Sequence, residues 1–272
     1  MLHDIALLAA YSFVAVFGAM LLLWLVSLAI KDSSIVDMIW GPGLALVAWV
    51  GYVFGAGVPE RKLLVAVLVT IWASRLAIYI IWRNWGAEDR RYARLRAHVE
   101  GQGKNFAWHS LTHIYLYQGL AMWVTSFTLQ IAQTYQAPVD LGLLAYAGVA
   151  LWAFGLLYES IADWQLAAFR RNPANAGKTM MSGLWRYSRH PNYFGEITVW
   201  IGLFLIACEN WVGALTVFSP IFIAYNIIGP TGASIVERRM HKKRPDFAAY
   251  RERTNFIIPG PPRKALSASA GH

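Results

Sequence analysis

Apolar residues come in long blocks along this chain, without the three-and-four spacing of an amphipathic helix, and that pattern decides its class before any motif does. The first block, "IALLAAYSFVAVFGAMLLLWLVSLAI" from Ile5 to Ile30, carries no charge and exceeds the roughly 20 residues needed to cross a hydrocarbon core of about 30 Å. No basic stretch precedes it and no small-residue cleavage site follows, so it reads as a retained span, not a signal peptide. Further apolar runs predict helices over 35–56, 63–85, 109–132, 140–164, 193–208 and 211–236, with "CENWVG", Cys208 to Gly213, as the turn between the last two. The expected fold is an all-α integral membrane protein of seven transmembrane helices. It forms a single domain over residues 1–260, followed by a disordered tail over 261–272.

Polar positions inside these runs are few and grouped. Asp37 lies early in the second run, Arg75 in the third, Glu159 and Asp163 late in the fifth, and Glu196 opens the sixth. Ionisable groups at membrane depth are costly and mark sites or interhelical ties. Glu159, Asp163 and Arg170 share one helical face if the fifth helix continues past the membrane, and Asn192, Glu196 and Trp200 repeat the four-residue spacing on the sixth. Two readings stand: salt bridges that hold the bundle, and a pocket. Their clustering at one depth favours the pocket.

Charge supplies the orientation. The segments 83–104 and 170–189 and the tail from Arg238 hold 20 of the 24 Lys and Arg residues, which places them in the cytoplasm and the N-terminus outside. Arg61 and Lys62 fall on the outer side, balanced in part by Glu60. The net charge of +9 also draws the chain toward anionic headgroups. A single cysteine excludes an internal disulfide. Membrane lipids and a lipophilic small molecule are the expected partners, with no nucleic acid, a monomer as the expected form, and the inner membrane as the location if the chain is bacterial.

Candidate chemistry concentrates in "GLWRYSRHPNYFGE", Gly183 to Glu196, which crowds two arginines, a histidine and several rings ahead of an apolar run. Pro191 suits the first residue of a helix. The amides of Asn192, Tyr193 and Phe194 would then be free at the positive end of the dipole, with Arg186 and Arg189 just before them. That is an expected seat for a phosphate-bearing nucleotide. No G-x-G-x-x-G after a strand and no P-loop offers another.

The corner motif, together with "SIVDMIWGPG", "ASRLAIYIIWRNWGAEDRRY", "YESIADWQLAAFRR" and "ERRMHKKRPDFAAYRERTNFIIP", resembles the steroid 5α-reductase family, specifically its bacterial DUF1295-type members, over about Ser34 to Pro259. The resemblance implies a seven-helix membrane reductase that transfers hydride from NADPH to the β-carbon of a lipid-soluble enone of the 3-oxo-Δ4-steroid kind. Carried over by position, the cofactor would meet Asp163 and Arg170, with Glu159 on the same stripe, then Asn192, Glu196 and Trp200, Glu237 and His241, and Tyr79 and Arg83. In the eukaryotic steroid reductases a glutamate on the second helix and a tyrosine on the third hold the substrate carbonyl; here Asp37 and Trp72 stand nearest as the catalytic pair. Asp37 would act as a donor if burial keeps it protonated, and otherwise as the salt-bridge partner of Arg75. Arginines suit the 2′-phosphate of NADPH better than the ribose of NADH.

Two rival readings remain at this point. Isoprenylcysteine carboxyl methyltransferases, which use S-adenosylmethionine, carry a similar "RHPxY" element. A non-enzymatic lipid-binding or transport bundle is the other, against which the odd span count and the missing inverted repeat weigh. His109 and His113 are four apart with no third ligand in reach, so no metal site is expected. In the loop "EDRRYARLRAHVEGQGKNFAW", Glu88 and Asp89 before Arg90 and Arg91 form a helix-start charge pattern, and Arg91 or Arg94 is a candidate phosphate contact under the resemblance.

Overall fold

An apolar run in a membrane must satisfy its backbone within itself, and helix is the local way to do so. The computed structural model describes residues 1–84, 88–229 and 232–263, apart from the side chains of Arg83 and Asn84. The described residues are helical with no named strand; one isolated parallel bridge pairs Ser188 with Asn255. Five helical stretches among them are long and apolar enough to cross a membrane: Leu2–Ile30, Ser33–Phe54, Pro59–Trp82, Leu143–Arg171 and Trp211–Lys243. Pro191–Ala207 is a shorter apolar helix. The chain is thus a multi-pass membrane protein, and where seven spans were expected the described residues hold five long stretches, one shorter apolar helix and a divided helical run over 109–132. The tail from residue 264 onward lies outside the described residues.

Contacts divide the chain into two compact units. The first comprises Met1–Ala145 and Ile206–Ser219. Its helices are α1 (Leu2–Ile30), α2 (Trp40–Phe54), α3 (Pro59–Asn84), α4 (Arg90–Gly101), α5 (Phe106–Ser110), α6 (Leu116–Thr125) and α7 (Phe127–Ala132). Lys31 ends α1 in the left-handed region at φ 56°, and Asp32 caps the 3₁₀ segment Ser33–Ile39 by accepting from the amide of Ser34. The expected span 109–132 is helical but divided, because a π-helical turn, Leu111–Tyr115, joins α5 to α6 and Ser126 separates α6 from α7.

The loop expected after residue 88 is mostly helix. Asp89 caps α4 by accepting from the amide of Arg91, the helix start that the charge pattern there suggests. The outer-side pair also reads differently in three dimensions. Arg61 is wholly buried, lies 3.6 Å from Glu209 and stacks on Tyr135, so its counter-ion is Glu209 and not Glu60. Chain neighbours on a helix point around the cylinder, and the turn at 208–210 folds back to bring Glu209 in.

The second unit comprises Tyr146–Leu205 and Pro220–His272. It contains most of α8 (Leu143–Arg171) and α9 (Pro191–Ala207), followed after α10 (Trp211–Ala214) by most of α11 (Phe218–Ile228), then α12 (Ala233–Lys243) and α13 (Phe247–Arg253). The helix expected over 211–236 is therefore broken, with a 3₁₀ turn, Leu215–Val217, between α10 and α11. The expected turn at Cys208 is present.

Glycines set how closely α8 and α9 approach. A Cβ on Gly155 would lie 2.7 Å from the carbonyl of Gly195, one on Gly195 would lie 2.6 Å from the amide of Glu159, and one on Gly202 would lie 2.6 Å from the carbonyl of Gly148. Gly195 and Gly202 are seven apart, as are Gly148 and Gly155, so each helix presents a notch every two turns to the other. Without a hydrophobic drive between helices in lipid, such backbone contact is what holds the pair. It also turns the acidic stripe of α8 toward the polar stripe of α9.

Candidate functional site

The two stripes meet. Asn192 donates from Nδ2 to Oδ1 of Asp163 at 3.1 Å, which joins the first turn of α9 to α8. Because a carboxylate only accepts, the amide group is oriented, and Oδ1 of Asn192 faces away, buried and without a hydrogen-bond partner among the described residues. Glu159 and Asp163 are each 4% exposed. Trp200 is fully buried and donates from Nε1 to Glu196 at 3.2 Å, so it holds Glu196 in place. Arg170 sits exposed at the end of α8, which continues to Arg171 as the shared face required.

The corner before α9 is tied from both sides. Gly183, at φ 60°, opens a 3₁₀ turn whose Leu184 amide donates to Gln165, while Trp185 donates from its indole to the carbonyl of Ala162. A Cβ on Gly183 would lie 2.5 Å from the Gln165 amide group, so this close docking on α8 needs glycine. From the other side the C-terminal tail straps it down. The Arg189 amide donates to Asn255, Ser188 donates to Ile257, Gly260 donates to Tyr187, and the Tyr250 hydroxyl donates to the carbonyls of Trp185 and Ser188.

This strap consumes much of what the sequence offered for phosphate binding. Arg189 pairs with Glu237 at 2.8 Å, donates to the carbonyl of Arg251 at 2.7 Å and lies over the ring of Phe256. His190 shares Glu237 at 3.1 Å and stacks on Tyr193. Pro191 opens α9 as expected, but the Phe194 amide donates to the carbonyl of His190, so the open row of three amides is shortened.

Beside the corner, a hollow of about 600 Å³ is lined by Arg189, Ser234, Glu237, Arg238, His241, Lys242, Arg251 and Phe256. Its cations outnumber its single carboxylate, and that carboxylate is already paired. Glu237 and His241 line it. Arg186 does not. It lines a separate hollow with Arg253, so the two arginines of the corner motif do not serve one anion together. What sequence reasoning missed is the contribution of Lys242, Arg251 and Phe256, which are brought in only by the return of the tail.

The expected catalytic pair, Asp37 and Trp72, lies in the first unit. Asp37 is in the 3₁₀ segment before α2, and it accepts from Arg91 at 2.7 Å and from the hydroxyl of Tyr92 at 2.7 Å. Asp37 thus takes a salt-bridge part, with Arg91 as its partner where the sequence offered Arg75. The direction of the network is set at its far end. Trp40 can only donate, and does so to Oε1 of Gln118 at 2.7 Å, which turns the Gln118 amino group toward Tyr92 at 3.4 Å. Tyr92 therefore aims its proton at Asp37. Burial first, and then the charge of Asp37, push this phenol well above its ordinary range, so it keeps its proton at neutral pH.

Trp72 is 1% exposed in the core. Tyr79 faces the guanidinium of Arg75 at 5.5 Å. The side chain of Arg83 lies outside the described residues, as does any role for it. Arg91, a candidate phosphate contact, is spent on Asp37 and Asp89. His109 and His113 stack at 4.3 Å, and no group of three metal-binding side chains occurs among the described residues.

Comparison with known proteins supplies the rest. An uncharacterized protein of the fission yeast Schizosaccharomyces pombe is 28% identical over 87% of this chain and 75% of its own length. A Delta(14)-sterol reductase of Ascobolus immersus is 38% identical over 30% of this chain and 23% of its own. A 3-oxo-5-alpha-steroid 4-dehydrogenase 1 of Bos taurus is 29% identical over 39% of this chain and 38% of its own. The aligned part thus spans well under half of either steroid enzyme. A shorter stretch, 20% of this chain, is 38% identical to a probable O-methyltransferase of Ustilaginoidea virens. No solved structure matches. Residues 23–254, most of the chain, match the family described as protein of unknown function DUF1295, and the chain belongs to that family.

Proposed function

We propose that this protein is an NADPH-dependent membrane reductase that adds hydride to the β-carbon of a lipid-soluble enone, with the dinucleotide held in the second unit by α8, α9 and the tail. The observation that carries the reading is the Asn192 amide. Its Nδ2 is anchored on Asp163, while its buried Oδ1 is left to accept an N–H from a ligand. A buried acceptor without a donor costs about 1–3 kcal/mol, which a ligand that supplies the donor recovers.

The residues present fit the cofactor's chemistry. Arg238, Lys242 and Arg251 gather positive charge in one hollow suited to phosphates, His241 adds a ring N–H, and Phe256 offers a flat ring. Glu196, held by Trp200, supplies a second acceptor on the same helix face as Asn192. When bound, NADPH supplies the hydride. The two matched steroid enzymes, one named a sterol reductase, support a reductase over the methyltransferase reading, because together they cover more of the chain than the methyltransferase match does.

Calorimetric titration of the detergent-purified chain tests the reading. Saturable binding of NADPH, weaker binding of NADH and no binding of S-adenosylmethionine are expected. Binding of S-adenosylmethionine alone would replace it with the methyltransferase.

A further inference from the structure

The second hollow beside the corner, about 520 Å³ and lined by Met181, Ser182, Gly183, Arg186, Asp246, Tyr250 and Arg253 among others, has no part in the reading above. Its polar groups can be followed one by one. Both carboxylate oxygens of Asp246 are occupied, by the amide of Thr179 at 2.8 Å and its hydroxyl at 2.7 Å. The Tyr250 hydroxyl is spent on the carbonyls of Trp185 and Ser188. The guanidiniums of Arg186 and Arg253 remain, and neither has an ion-pair or hydrogen-bond partner among the described residues. Two arginine forks converging on one space, with the neighbouring acid already engaged, select an anion with several acceptor oxygens.

The surroundings say which anion. Met181, which lines the hollow, is 38% exposed, and Tyr187, beside Arg186 in the chain, is 43% exposed, so an apolar and an aromatic side chain stand in the open next to the arginines. Arg186 lies five residues before Pro191, the start of an apolar helix. A charged hollow with an apolar rim at the mouth of a membrane helix is the arrangement of a headgroup site, where the rim meets acyl chain and the guanidiniums meet phosphate. We propose that this hollow seats the phosphate of an anionic glycerophospholipid, and that it is distinct from the hollow that holds the dinucleotide.

The test uses the full chain in nanodiscs of phosphatidylcholine doped with phosphatidylglycerol, with lipid retention read by native mass spectrometry. Retention of phosphatidylglycerol over phosphatidylcholine is expected, falling about tenfold in Arg186→Gln/Arg253→Gln as charge-assisted bonds are lost. Single Arg253→Gln should keep its affinity for NADPH and its melting temperature. Equal retention of the two lipids, or no change in the double variant, overturns the proposal. Displacement of the lipid by millimolar inorganic phosphate identifies free phosphate as the occupant and overturns the lipid assignment. Weakened NADPH binding in Arg186→Gln returns that arginine to the cofactor, which also overturns it. Failure of the wild type to bind NADPH counts against the reductase reading alone.

Discussion

Asn192→Ala separates two roles that one side chain plays. The substitution removes the Nδ2 bond to Asp163 at 3.1 Å and the buried acceptor Oδ1 together. Asp163 is 4% exposed, so the first loss leaves a buried carboxylate short of a donor, worth about 1.5–3 kcal/mol of stability for a bond to a charged group. The second loss removes one ligand hydrogen bond, about 1–2 kcal/mol, which raises the NADPH dissociation constant roughly 5- to 30-fold. Titration calorimetry reads the second, and a thermal scan in the same detergent reads the first. Asp163→Asn is the companion variant. It keeps an oxygen to accept from Asn192, so stability should fall less than in Asn192→Ala. A lowered melting temperature with NADPH affinity unchanged within about twofold, near the limit of such a fit, would mean that Asn192 only ties α8 to α9, and the cofactor placement would fail.

Three further outcomes are expected. Gly155→Val places side-chain carbon 2.7 Å from the carbonyl of Gly195, so α8 and α9 must part, with a cost of about 1–3 kcal/mol read as a lower melting temperature; Gly18→Ala, with nothing within 4 Å, should leave it unchanged. Arg61→Met strands the buried Glu209 and should cost about 3–5 kcal/mol, part of which Arg61→Met/Glu209→Gln recovers; equal damage in both would deny the pair its role. Tyr92→Phe removes the hydroxyl 2.7 Å from Asp37 and should cost about 1.5–3 kcal/mol, as for a bond to a charged group, read as a lower melting temperature; an unchanged melting temperature would deny that bond its part in holding α4.

The corner motif shows how far sequence reading reaches. Its residue types were legible as charged, flat and helix-starting, and Pro191 does start α9. Their use was not. Arg189 and His190 meet Glu237, which lies more than 45 residues downstream, and the other cations of the adjoining hollow come from α12 and the tail. The stripes on α8 and α9 were easier, because four-residue spacing on one helix implies a face, and a face with three polar groups at one depth needs a partner. The bond between Asn192 and Asp163 follows that logic. Asp37 did not, since its partners come from α4, which reads as a charged loop when its apolar content alone is weighed.

Hydropathy and periodicity alone determined that this chain is helical and enters a membrane, because backbone groups in hydrocarbon must be satisfied locally and long apolar runs cannot remain in water. Tertiary structure alone decided which charge neutralises which. Arg61 finds Glu209, Asp37 finds Arg91, and Arg189 finds Glu237 across separations that no spacing rule encodes. The physical reason is range. A helix face is set by its own residues within a turn or two, while an ion pair is set by whichever opposite charge the packed helices carry to within a few ångströms.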